Sequence, residues 1–121
     1  MIKILITGAG GFVGTHLIKE LQKNPEVEIF AAVYKSTSDI ASLVPSSHIS
    51  EGDLTDAGFA QKLIQTTKPD VIYHLAALSV VQDSAKHATS VINSNTTISY
   101  NILEATKLSA PKARFIAICS A

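Results

Sequence analysis

Three glycines set three residues apart, Gly8, Gly11 and Gly14, stand in the stretch ITGAGGFVGTHL between Ile6 and Leu17. Gly-x-x-Gly-x-x-Gly carries one more turn residue than the dinucleotide fingerprint Gly-x-Gly-x-x-Gly, which counted from Gly8 would end on Val13. An apolar run precedes this stretch and a helical spacing follows it. A turn this bare presents backbone N–H groups at the positive end of a helix, where orphan donors and the helix dipole both favour an anion. On that reading Gly8 makes the tight turn, Gly11 lets a pyrophosphate touch the backbone, and Gly14 lets the helix pack on the strand. The alternative is a tight loop with no ligand, and it requires the helix to be absent.

A second chemical choice lies in VYKSTSD, Val33 to Asp39. A dinucleotide with a free 2′-hydroxyl is met by a carboxylate at the carboxyl end of the second strand, and a 2′-phosphate by positive charge. Glu28 falls at the wrong end and Asp39 several residues into the loop, whereas Lys35, with Ser36 and Thr37 beside it, falls in the right place. Tyr34 precedes it. This favours NADP over NAD, against the plainer reading of Lys35 as a solvated loop side chain. The remaining polar candidates read as structural. His74 lies inside an apolar strand and is expected to be a satisfied core histidine. Cys119 is expected to be an inert buried thiol, and His16 and His87 to be solvated helix residues. No His, Cys and Asp spacing suggests a metal site.

The elements that position these residues alternate. Ile2–Thr7 is a β-branched apolar run with almost no alternation, as a strand buried on both faces requires. Phe12 to Lys23 places Phe12, Val13, Leu17, Ile18 and Leu21 at helical spacing, and Asn24-Pro25 ends it. Val27–Val33 is a second strand, and His48–Glu51 a short third one leading into Gly52-Asp53. Thr55 to Thr67 is a helix with Thr55 as its cap and Phe59, Leu63 and Ile64 on one face. Pro69-Asp70 opens a fourth strand, Val71 to Ala76. A long helix runs from about Ser90 to Leu108 with Ile98, Ile102, Leu103 and Ala105 as its stripe, and Ala113 to Cys119 is a fifth strand. Strands alternating with helices imply an α/β fold: a doubly wound parallel sheet in three layers, order 3-2-1-4-5, with its ligand crevice beside strand 1.

Composition bounds the rest. The chain has 121 residues, one domain's worth, and 46% hydrophobic with 17% charged residues marks a globular chain. Ten basic and ten acidic residues cancel, so no net field draws it to nucleic acid or to an anionic membrane. The first apolar run is too short to span a bilayer and lacks a signal-peptide layout. A lone cysteine forms no internal disulfide, which favours a reducing cytoplasm.

Four stretches in order, TGAGGFVG, GDLTD (Gly52–Asp56), YHLAALS (Tyr73–Ser79) and SNTTISYNILEA (Ser94–Ala105), resemble the extended short-chain dehydrogenase/reductase family of nucleotide-sugar epimerases, dehydratases and reductases. Within it, HLAALSVVQDS is most similar to the branch acting on GDP-mannose and its 4-keto product. The resemblance implies that Gly8, Gly11, Phe12 and Val13 line the pyrophosphate, the last two through backbone amides. It places Asp53 and Leu54 at the adenine, with Asp53 accepting from the exocyclic amine; the plainer reading of Asp53 is a turn former. Leu75, Ala76 and Ala77 would wall the nicotinamide ribose, and Asn95 would tie strand 4 to its neighbour. Ser120 falls where the family keeps the hydroxyl that meets the sugar's reacting oxygen.

The same resemblance implies a tyrosine four residues before a lysine for proton transfer. Here Ser38, Ala77 and Glu104 stand four residues after Tyr34, Tyr73 and Tyr100. A fifth strand ending the chain would also leave a long apolar edge. The expectation is therefore the amino-terminal, dinucleotide-binding part (1–121) of a larger enzyme, inactive alone, with its sheet incomplete on the carboxyl side and no substrate domain. The full enzyme would move hydride at C4 of a nucleotide sugar, a GDP-sugar in preference, and could dimerise through helices such as the one after Ser90. The competing reading is a regulatory or redox-sensing module that binds the dinucleotide without catalysis.

Overall fold

A computed structural model describes residues 1–34, 40–75 and 84–117, with the backbone alone described over 84–95. Its strands are β1 (Ile2–Thr7), β2 (Val27–Val33), β3 (Ile49–Glu51), β4 (Val71–His74) and β5 (Arg114–Ala117), and its α-helices are α1 (Phe12–Leu21), α2 (Ala57–Thr67) and α3 (Ser84–Ser109). A short 3₁₀ turn, Ser46–His48, leads into β3. The five strands form one parallel sheet in the order β3-β2-β1-β4-β5, as the sequence predicts.

Side-chain alternation divides the core into two. Ile4 and Ile6 of β1, with Ile29, Ala31 and Val33 of β2, belong to one apolar cluster with Ile18 of α1 and with Ile40 and Val44. Leu5, Ala32 and Ile72 point the other way, into a cluster with Leu63 and Ile64 of α2 and Ile98, Ile102 and Ala105 of α3. Right-handed crossovers account for the split. Connections that step from β1 out to β3 pass over one face, and those that return through β4 to β5 pass over the other. The result is three layers, with β1 buried at its centre: Leu5, Ile6 and Thr7 have no exposed surface.

Several element ends and faces differ from the sequence expectation. Phe12 and Val13 carry helical spacing yet are 81% and 56% exposed, because the first turn of α1 projects past the sheet's rim; Ile18 carries the burial. Leu103, expected on the apolar stripe of α3, is half exposed, and the buried line runs through Ile98, Asn101, Ile102 and Ala105. α2 starts at Ala57 rather than Thr55, and its cap is Asp56, whose Oδ1 accepts from the amides of Gly58 at 2.9 Å and Phe59 at 3.4 Å. The Thr55 hydroxyl turns back instead and donates to Asp53 Oδ1 at 2.7 Å. α3 begins earlier than its apolar stripe, at Ser84, and β4 stops at His74. His48 belongs to the turn before β3, and β5 starts at Arg114 rather than Ala113, while Ile118 and Cys119, also expected in it, lie outside the described residues.

Candidate functional site

Parallel register brings the carboxyl ends of four strands to one rim. Thr7 pairs with Ala32 on one side and His74 on the other, and Val33 pairs with Glu51. The residues that follow those strands, Gly8, Tyr34, Gly52 and Leu75, therefore leave the sheet together. Backbone bonds fix their paths: Ala9 N–H donates to Ala32 O at 3.2 Å, Gly52 N–H to Val33 O at 3.0 Å, and Leu75 N–H to Thr7 O at 3.1 Å. Glu28, at the other end of β2, lies away from this rim with its carboxylate 3.6 Å from His48 Nε2.

The turn after β1 is shaped by what its residues lack. Gly8 has φ of 69°, a left-handed conformation that costs a side-chain-bearing residue about 1 kcal/mol or more. Gly11 N–H closes the turn on Gly8 O at 3.3 Å, and Gly11 then begins α1 in an extended conformation without any side-chain cap. The first intrahelical bond is Thr15 N–H to Gly11 O at 3.0 Å, so the amides of Phe12, Val13 and Gly14 come before the ladder begins. No acidic residue occupies this first turn. A phosphate oxygen suits such a terminus on both counts, open donors and an uncontested dipole. The Phe12 ring rests against the His16 ring, centroids 4.4 Å apart, on the solvent side.

Below the rim a chain of hydrogen bonds joins β1, β4 and α3. Thr7 Oγ1 lies 2.8 Å from His74 Nδ1, and His74 Nε2 lies 3.2 Å from Ser99 Oγ. Leu75 N–H also donates to Thr7 Oγ1, at 3.1 Å. The assignment that employs every donor has the Thr7 hydroxyl donating to Nδ1 and the ring's own proton, on Nε2, donating to Ser99. His74 is 4% exposed, and burial lowers its pKa from the ordinary histidine value, so the neutral ring is the stable form. It is the satisfied core histidine that the sequence suggests.

On the far side of β2, Asp53 is exposed and its Oδ1 accepts from Thr55 N–H at 2.9 Å and from the Thr55 hydroxyl. Leu54, 6% exposed, turns into the core beneath it. Asn101 of α3 donates from Nδ2 to Leu54 O at 2.9 Å. Sequence reasoning missed Asn101 and Thr7. For Asn101 a signal existed, a lone amide three residues after Ile98 and four before Ala105, on a line that turns out to be buried.

Residues 4–121 match the model of the NAD dependent epimerase/dehydratase family. The chain belongs to that family. Over 105 residues it is 30% identical to UDP-glucose 4-epimerase of Lactobacillus helveticus, covering 86% of this chain and 31% of that protein. Over 83 residues it is 37% identical to GDP-6-deoxy-D-talose 4-dehydrogenase of Aggregatibacter actinomycetemcomitans, covering 69% of this chain and 24% of that one. The crystal structure of the Bordetella bronchiseptica enzyme WbmH in complex with NAD+ superposes with a TM-score of 0.70 at 26% identity, covering 95% of this chain and 38% of WbmH. The chain thus spans about a third or less of the length of these curated relatives.

Within this epimerase/dehydratase-family chain the structure gathers Gly8, Gly11, Phe12, Val13, Gly14, Tyr34, Asp53, Leu54 and Leu75 at the carboxyl rim or directly under it. Lys35, Ser36, Ala76, Ala77 and Ser120 lie outside the described residues, as does Cys119. Asn95 falls in α3, and its side chain and that of His87 lie outside the description as well. Among the described residues no group of three His, Cys, Asp or Glu side chains could hold a metal ion, and no helix is long and apolar enough to cross a membrane.

Proposed function

We propose that the protein containing this chain moves hydride between C4 of a nucleotide-bound hexose and a nicotinamide, with residues 1–121 forming its dinucleotide site. One observation carries the reading: the uncapped start of α1, entered through a glycine at positive φ, opens on the rim where β1 lies between β2 and β4. The residues present fit the group. Gly8 takes a positive φ that favours glycine, no side chain caps the start of α1, and nothing acidic in the helix's first turn repels an anion.

In this assignment the Phe12 and Val13 amides bind the pyrophosphate while Gly14 holds α1 close. Asp53 accepts from the adenine's exocyclic amine, oriented by the two donors of Thr55, and Leu54 meets the base. Leu75, Ala76 and Ala77 flank the nicotinamide ribose, Asn95 ties β4 to its neighbour, and Ser120 orients the sugar's reacting oxygen. A bound nicotinamide supplies hydride acceptance and return. No tyrosine in the sequence is followed four residues later by a lysine, so proton transfer is assigned to residues beyond these.

The family is NAD dependent by description. Lys35, with Tyr34 and Ser36 beside it, supports a preference for the 2′-phosphorylated form. The relative that acts on a GDP-linked 6-deoxy-talose supports a GDP-sugar substrate, against UDP-glucose among the other relatives. We place the whole protein in the cytoplasm, and α3, with Tyr100, Leu103 and Leu108 exposed, is where a homodimer would form. Titration by nicotinamide fluorescence with NADPH and NADH tests the reading. Saturable binding, tighter for NADPH and lost in Lys35→Glu, is the expected result. Binding of neither cofactor by the folded whole protein overturns it.

A further inference from the structure

We infer that Asn101 is the positioning residue for adenine recognition, setting the backbone on which Asp53 is presented. The inference rests on the reading of Asp53 above and deepens it. Asn101 lies on α3, 47 residues from Leu54 in sequence, and its Nδ2 donates to Leu54 O at 2.9 Å inside the protein. A carbonyl can only accept, so the amide's orientation is fixed. The side chain is 7% exposed, and Leu54 belongs to the same core cluster as Ile98 and Ile102, which flank Asn101 on its helix.

Leu54 is therefore held twice by α3, through its side chain and through its carbonyl. The residue directly before it is Asp53. Two groups bracket that carboxylate: Thr55 takes its Oδ1 with both an amide and a hydroxyl, and Asn101 fixes the next carbonyl along the chain. Gly52 N–H on Val33 O at 3.0 Å ties the loop to β2 and Asp56 N–H on Asp53 O at 3.0 Å closes its turn, while Asn101 ties its backbone to α3. Removing the amide leaves a buried carbonyl unsatisfied, which the loop can cure by turning that carbonyl to solvent. Asp53 would turn with it.

The test uses two reduced cofactors that differ at the atom Asp53 reads. NADH carries an exocyclic amine donor on its purine, and reduced nicotinamide hypoxanthine dinucleotide carries a carbonyl acceptor there. The whole wild-type protein, titrated by nicotinamide fluorescence, is expected to bind NADH about tenfold or more tightly than the hypoxanthine form, as a hydrogen bond to a charged acceptor implies. In Asn101→Leu that preference is expected to shrink to about twofold or less, through weaker NADH binding. Asn101→Ala, which leaves room for water at the Leu54 carbonyl, is the second variant should the leucine protein not fold. Equal weakening of both cofactors, with the ratio kept, overturns the inference and makes Asn101 structural alone, and so does an unchanged variant. A wild-type protein that binds both cofactors alike removes the adenine role of Asp53, and the inference with it. Binding of neither cofactor by the wild type is instead the failure of the dinucleotide reading itself.

Discussion

A Cβ placed on Gly14 would lie 2.7 Å from both the Cα and the carbonyl oxygen of Ala9. Ala9 cannot yield, since it is fully buried and its amide is bonded to Ala32 O at 3.2 Å across the end of β2.

Gly14→Ala is therefore expected to push α1 away from the turn and cost about 1–3 kcal/mol, the usual range for overfilling a packed contact. Urea denaturation measures it. Because the same shift moves the Phe12 and Val13 amides, cofactor affinity should fall even where the variant stays folded. An unchanged denaturation midpoint would show that the helix is not seated as described.

His74 makes stability depend on pH. Burial depresses its folded-state pKa below the unfolded value of about 6.5, so the unfolded chain binds the extra proton first. The stabilisation from the neutral ring is complete above the unfolded value and is lost as pH falls from there through the folded one. The slope is at most about 1.4 kcal/mol per pH unit for one proton. Thermal melts between about pH 7.5 and pH 5 should show a fall that His74→Gln lacks, with pH 6.5 marking its onset. Equal slopes in the two proteins would reject the assignment.

Lys68 ends α2 in the left-handed region, φ 42° and ψ 61°, with its amide donating to Ile64 O at 2.8 Å. Glycine at this position removes the steric cost of a side chain there but adds unfolded-state entropy. Lys68→Gly is expected to raise stability by about 0.5–1 kcal/mol, which for a domain of this size is roughly 2–4 °C in the melting temperature. A lower melting temperature would contradict it.

The fold was legible because its signals were long-range and redundant. Five apolar runs separated by helical spacings admit few topologies once right-handed crossovers are required, and the observed order β3-β2-β1-β4-β5 is the one expected. Hydrophobic spacing could not say where the sheet ends, so it did not show that Phe12 and Val13, apolar and at helical spacing, overhang the rim. The cap of α2 was ambiguous for a similar reason. Thr55 and Asp56 are adjacent and both capable, and the choice depends on Asp53 engaging the Thr55 hydroxyl, a local contact that composition does not encode. His74 was legible as a core residue, but its partners Thr7 and Ser99 come from elements joined only by the fold.

The most direct test of the proposed dinucleotide site is an amide-resolved NMR titration of the whole protein with ADP-ribose, which carries the diphosphate and adenine without nicotinamide. The largest shifts are expected at the amides of Phe12 and Val13, with smaller ones at Asp53 and Leu54. Shifts confined to other surfaces, with Phe12 and Val13 unmoved at saturation, would contradict the account.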